Sequence, residues 1–286
     1  MPIAEPGTID DLVADAARAG HPITVRLLRD WTQVGLLDQP RKRPSGRGRG
    51  SSQALYPANQ RELLLTLLAK RPGNGISSLA RIPVGIWMYW GDEFVPLRQA
   101  RRAMLTWLGN PRASLRRARQ TAKTIVGQLD NPAATPAARR ELRNVLTEIS
   151  YAGQFDEDRL ERAAFDVFEP QVSQIRLVLG HPAAPLMVDS VIAAIKARVI
   201  AAAHLSENRV ANEVFYRARH SHLTRYAEYA VRQPVFASST PPQSLGMYEP
   251  VTAPTALNEC CIHLLTTIGL EIMYPECPAP PDAAPP

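Results

Sequence analysis

Residues 23–37 read I-T-V-R-L-L-R-D-W-T-Q-V-G-L-L and hold a helix cap, a cationic face and a helix stop. Thr24 is placed to N-cap the helix by accepting a backbone N–H bond, and Gly35 stands where the chain leaves it. Val25, Leu28 and Thr32 recur at helical spacing beside Leu27 and Trp31, which gives the helix one side to bury. Arg26 and Arg29 fall one turn apart on the side left free.

Upstream, a second amphipathic helix is expected from about Thr8 to Ala19. Thr8 caps it, Asp10 and Asp11 complement its N-terminal dipole, Ile9, Leu12, Val13 and Ala16 form its apolar stripe, and Gly20 closes it. Two short helices joined through Gly20, His21 and Pro22 read as a helix-turn-helix, the unit whose second helix enters a DNA major groove.

After Gly35 the next helix is expected near Pro57. The gap holds Arg41, Lys42 and Arg43, then Arg47 and Arg49 among Gly46, Gly48 and Gly50. An isolated run of this kind is ordinarily a solvated loop. Directly after a helix-turn-helix it reads instead as a wing of two short strands, Leu36 and Leu37 leading in and Gln53 to Tyr56 leading out, with arginines carried to the phosphates beside the groove.

These residues together resemble the N-terminal domain of the MerR family of bacterial transcription regulators. The pattern of that family's second helix stands here as Thr24, then Val25, Arg26, Leu27, Leu28, Arg29, then Asp30 and Trp31, then Gly35, Leu36 and Leu37. Leu55, Tyr56 and Pro57 resemble its strand exit, Gln60 to Lys70 its third helix, and Gly75 to Ile82 the short helix that follows. The likeness covers roughly residues 8 to 82. It departs at Asp30, where the family carries an aromatic, and at Ala54, where the wing carries an Arg.

The resemblance implies a homodimer whose two heads bind a palindromic promoter element on double-stranded DNA, distort it and so alter access of RNA polymerase. It implies base-edge contact by Thr24, Val25 and Arg26. Backbone contact falls to Arg29, Trp31, Arg41, Lys42, Arg43, Arg47, Arg49 and Tyr56. Relatives pair through one long helix after the head, but Pro83, Gly91, Pro96 and Pro111 interrupt that region here.

Charge distribution agrees with a cationic front. Residues 1–75 carry eleven Lys/Arg against seven Asp/Glu, residues 94–129 eight against none, and residues from Asp130 onward thirteen against eighteen. The C-terminal part is therefore no general polyanion binder. Three Asp and one Glu in the first twenty residues argue against a secretory leader, and Asp189, Lys196 and Arg198 break the apolar stretch Val188 to Leu205. A cytoplasmic, nucleoid-associated protein with no membrane partner is the expectation.

Beyond the head the periodicity is helical throughout. Stripes run through 96–108, 111–129, 137–151, 156–168, 185–205, 206–232 and 255–273, with Pro-rich breaks at 132–136, 182–185 and 234–254. The tail from Pro275 to Pro286 is too rich in proline to fold. The fold class is thus mainly α, an N-terminal winged helix-turn-helix followed by an all-α domain. Its divisions are a DNA-binding domain at 1–82, a basic helical connector at 83–130, an effector or dimerisation domain at 131–274, and a disordered tail at 275–286.

Trp87, Tyr89, Trp90 and Phe94 cluster between the two parts. They read first as a hydrophobic seam and second as the lining of a site for an unidentified planar small-molecule effector. No metal is expected. Cys260 and Cys261 are adjacent, Cys277 lies sixteen positions on, and His220, His222 and Glu228 sit on an Arg-rich helix that reads as a solvated face.

GxSxG, P-loop, GxGxxG-after-strand and HExxH patterns are all missing from the chain, so neither an enzyme nor a cofactor is expected. Two other classes accommodate the same head. One is a DNA-bending accessory protein of a mobile element, of excisionase or partition type; the other makes the acidic helical domain a protein-interaction module with the head as a docking surface.

Overall fold

The computed structural model describes residues 5–41, 53–126, 134–153, 156–175, 188–239 and 252–275. The chain divides into two compact units, Met1–Trp107 and Leu108–Pro286. The stretch 83–130, which reads as a connector in the sequence, is shared between them. The described residues are mainly α-helical, and their only β-pairing is two isolated antiparallel bridges, Gly7 with Tyr56 and Arg41 with Leu55.

In the first unit α1 spans Ile9–Arg18 and α2 spans Val25–Gln33. Thr8 and Asp11 form a reciprocal capping box on α1, and the Thr24 hydroxyl accepts from the Leu27 N–H at the start of α2. Both helices end in the same motif. His21 N–H bonds Ala16 C=O at 2.8 Å with Gly20 N–H on Ala17 C=O, and Leu36 N–H bonds Trp31 C=O at 2.9 Å with Gly35 N–H on Thr32 C=O. Each pair is a Schellman closure whose left-handed residue is a glycine, at φ 80° for Gly20 and 81° for Gly35.

Helices α3 (Ala58–Lys70), α4 (Ile76–Leu79), α5 (Arg81–Trp90) and α6 (Leu97–Leu108) complete this unit. Pro83 lies in the first turn of α5, where a missing N–H leaves no intrahelical bond unmade. Leu12, Leu28, Trp31, Leu64, Leu67 and Trp87 form its core. Asp15, 4% exposed, takes both a 2.7 Å and a 3.0 Å bond from the Arg61 guanidinium, which clamps α1 to α3.

The second unit opens with a 3-10 turn at Pro111–Ala113, followed by α7 (Leu115–Val126), α8 (Pro136–Ala152), α9 (Glu157–Ile175), α10 (Val188–Ser206), α11 (Asn212–Ser239) and α12 (Ala253–Met273). Leu146, Leu160, Val167, Ile195 and Val199 sit in its core. A Cβ added to Gly269 would lie 1.9 Å from the Ala197 carbonyl oxygen, so α10 and α12 meet backbone to backbone. Arg198 is 5% exposed on α10 and donates to the carbonyls of Ile125 at 2.6 Å and Val126 at 3.2 Å and to Thr266 at 2.8 Å. A cation thereby caps the negative end of α7. Burial pulls its pKa down to about 10.

The structure corrects three expectations. The helix expected from Pro111 begins at Leu115, because Asn110 caps a separate 3-10 turn over Pro111–Ala113. The helix expected from Ser206 begins at Asn212, after Asn208 takes a left-handed φ of 53°. Pro234 reads as a break in the sequence, yet α11 continues through it to Ser239.

Among the described residues α12 is the one helix long and apolar enough to cross a membrane by length and composition. Here Cys260, Cys261, Leu264, Leu265 and Ile268 are buried, and α12 packs on α10 and α11. The tail 276–286 lies outside the described residues.

Candidate nucleic-acid interface

Helix α2 presents two chemically distinct sides. Leu28, Trp31 and Thr32 are buried, while Arg26, Arg29, Asp30 and Gln33 are exposed. At 3.6 residues per turn these four exposed positions fall within about 100° of arc and form one face. Its side chains match the base-edge code of a major groove: arginine for guanine, glutamine for adenine, a carboxylate for the cytosine amino group. Gln33, one turn beyond Arg29, is absent from the residues expected on sequence grounds, although the same i+4 and i+7 arithmetic reaches it. Among the described residues no ion pair joins Asp30 to Arg26 or Arg29.

Thr24 is exposed with its hydroxyl engaged as the cap, and Val25 is half-buried at the first turn. Arg41 is exposed and sits at the bridge to Leu55, with paired backbone bonds of 2.8 and 3.0 Å. Lys42, Arg43, Arg47 and Arg49 lie outside the described residues.

Trp31 and Tyr56 belong to the core instead of the expected phosphate-contacting set. Trp31 is 1% exposed and Tyr56 2%, so neither presents a ring to solvent. The Tyr56 hydroxyl stands 3.2 Å from that of Thr32, which itself donates to the Leu28 carbonyl. Tyr56 therefore fastens the loop exit to the inner side of α2.

A polar chain supports α2 from behind. The backbone N–H of Asp38 donates to Gln60 Oε1 at 2.8 Å, Gln60 Nε2 to Gln99 Oε1 at 2.9 Å, and Gln99 Nε2 to the Leu36 carbonyl at 3.0 Å. Both glutamines are buried, and each amide in the chain has its partner. The Asp38 carboxylate, also buried, receives the guanidinium groups of Arg98 and Arg102, and its bond to Arg98 holds that group's pKa above the ordinary arginine value. The Thr106 hydroxyl donates to the Val34 carbonyl at 2.7 Å. No signal in the sequence marks these pairs, since the partners lie some twenty to seventy positions apart.

A shallow cleft of about 370 Å³ separates the turn Gly20 to Ile23 from Leu68, Arg71 and Pro72. It brings the exposed Arg71 beside the start of α2. The four aromatics expected to line an effector site are divided. Trp87 is wholly buried, whereas Trp90 is 62% and Phe94 45% exposed, and the Tyr89 ring stands edge-on to Trp90 at 6.1 Å.

In the second unit, no group of three or more His, Cys, Asp or Glu suited to a metal occurs among the described residues. Cys260 and Cys261 are buried thiols, and Cys277 lies outside the described residues. His220 is exposed as expected. His222 is instead buried, edge-on to His263 at 5.3 Å, and burial followed by the charges of His263 and Arg225 depresses its pKa to about 3.

Comparisons with protein-family models, curated proteins and solved structures find no match for this chain.

Proposed function

We propose that this protein is a sequence-specific DNA-binding transcriptional regulator with a MerR-like winged helix-turn-helix head. The observation that carries this reading is the outward face of α2, with Arg26, Arg29, Asp30 and Gln33 exposed on a helix closed at both ends and braced from behind. The first unit carries fifteen Lys/Arg against nine Asp/Glu, a field that attracts a phosphate backbone.

In this reading two heads of a homodimer bind a palindromic promoter element. Arg26 and its neighbours read base edges while Arg29, Arg41 and the arginines of the following loop position the backbone. Distortion of the duplex sets RNA polymerase access, and the second unit receives a small-molecule signal. The protein works in the cytoplasm on the nucleoid, without catalysis, cofactor or membrane partner.

Selection of bound fragments from a random duplex pool supplies the test, with a two-fold symmetric consensus as the expected result. On that consensus Arg26→Ala is expected to weaken binding by about 1–3 kcal/mol while its affinity for random duplex changes little. Equal weakening on both would remove Arg26 from the readout.

A further inference from the structure

Helix α7 reads L-R-R-A-R-Q-T-A-K-T-I-V, with four cations and no acid. Ala118, Thr121, Ala122, Ile125 and Val126 are buried in the second unit, while Arg116, Arg117, Arg119 and Lys123 are all exposed. Arg116, Arg119 and Lys123 fall within about 60° of arc along about 10 Å of helix.

The placement works against the helix. Arg116 and Arg117 occupy the first turn, where the positive end of the helix dipole repels them. Arg116 with Arg119, and Arg119 with Lys123, are like charges at the three- and four-residue spacings where side chains meet.

Among the described residues five other cations of this unit are matched to acids, while Arg140, Arg162 and Arg232, each on a different helix, join no ion pair. Arg112 and Arg209 pair with Glu207, Arg159 with Glu141 and Glu148, Lys196 with Glu157 and Glu161, and Arg217 with Glu271. Among the described residues no ion pair involves Arg116, Arg117, Arg119 or Lys123. The unit as a whole has eighteen Lys/Arg and eighteen Asp/Glu, so the unmatched charge on α7 is a local concentration. Several local rules broken together on one exposed face mark a surface kept for a partner.

We propose that α7 is a second phosphate-binding surface, touching the backbone of duplex DNA without reading bases. Over about 10 Å a duplex presents about six phosphate charges, a density that suits a row of three or four cations. A lipid surface suits it poorly, because the apolar side of α7 is buried and only Leu115 is left partly exposed. The proposal rests on the DNA-binding reading of the head and extends it to the second unit.

The test uses the full chain and a long duplex containing the selected site, with affinity measured against salt. One variant carries R116Q, R117Q, R119Q and K123Q, a second carries R116K, R117K and R119K, and a third carries R26Q and R29Q. The glutamine set is expected to flatten the slope of log affinity against log salt by about 0.9 for each phosphate no longer neutralised, and to weaken binding about tenfold or more at low salt. The preference for site over random duplex should survive, and the lysine set should bind like the parent. Removing like-charge neighbours should leave the melting temperature unchanged or higher, which separates a weakened DNA interface from a damaged fold.

An unchanged slope in the glutamine set, with weaker binding by the R26Q/R29Q variant, would overturn the proposal and leave the head reading intact. Weaker binding by the glutamine set with no effect of R26Q/R29Q would overturn the head reading and keep α7 as the duplex-binding surface. Tighter binding to a structured RNA than to duplex, abolished in the glutamine set, would replace duplex DNA as the partner. No duplex binding by the parent at any salt would overturn both.

Discussion

Gly35→Ala tests the junction between α2 and α6. A Cβ built at Gly35 would lie 2.5 Å from the Ala103 nitrogen and 2.6 Å from Arg102 Cβ, and the residue holds φ at 81°. Two terms add. The left-handed backbone costs an alanine about 1–2 kcal/mol, and overlap with a packed helix backbone costs about 1–3 kcal/mol more.

Gly20→Ala is the matched control, because Gly20 closes α1 at φ 80° with nothing within 4 Å of its added Cβ. The control carries only the backbone term, so the two variants are expected to differ by about 1–3 kcal/mol. Tryptophan fluorescence in urea reports this selectively, since Trp31, Trp87, Trp90 and Trp107 all lie in the first unit. Equal destabilisation by the two substitutions would refute the close approach of α6 to the exit of α2.

Asp38→Ala strands Arg98 and Arg102 and is expected to destabilise the first unit by about 2–3 kcal/mol by the same fluorescence assay. This lies below the value for a fully buried pair, because the Arg98 side chain is 56% exposed. Arg198→Met leaves the Ile125 and Val126 carbonyls without their donor and should cost the second unit about 2–3 kcal/mol, read by calorimetry. His222, with its folded pKa depressed from 6.5 to about 3, is neutral in the fold while the unfolded chain takes up a proton. Stability of the second unit should therefore be complete above pH 6.5 and fall by about 1.4 kcal/mol per unit from there toward pH 3. His222→Asn should flatten that slope in calorimetric melts between pH 6 and 4, and an unchanged slope would assign the titration to another group.

Much of the head is legible residue by residue. Thr8, Thr24, Gly20 and Gly35 each act within five positions of themselves, through caps and closures whose geometry is local. The exposed side of α2 follows from the same short arithmetic, which places Arg26 and Arg29 on one flank and Leu28 and Trp31 on the other. Periodicity also places most of the later helices. It fails at Pro234, a local signal against a helix that α11 passes through although Val231 and Val235 beside it are exposed.

Residues singled out for chemical type fare differently. Trp31 and Tyr56 look alike whether a ring stacks on a phosphate-bearing strand or fills a core, and nothing within a few positions separates those fates. Tyr56 is buried because it meets Thr32, twenty-four positions away. Asp38 takes its partner Arg98 from sixty positions on. Hydrogen bonds and periodicity along a helix are short-range, so the order of residues alone specified caps, stops and faces. Burial, pairing and the union of α6 with α2 depend on segments distant along the chain coming together, and so required the folded arrangement.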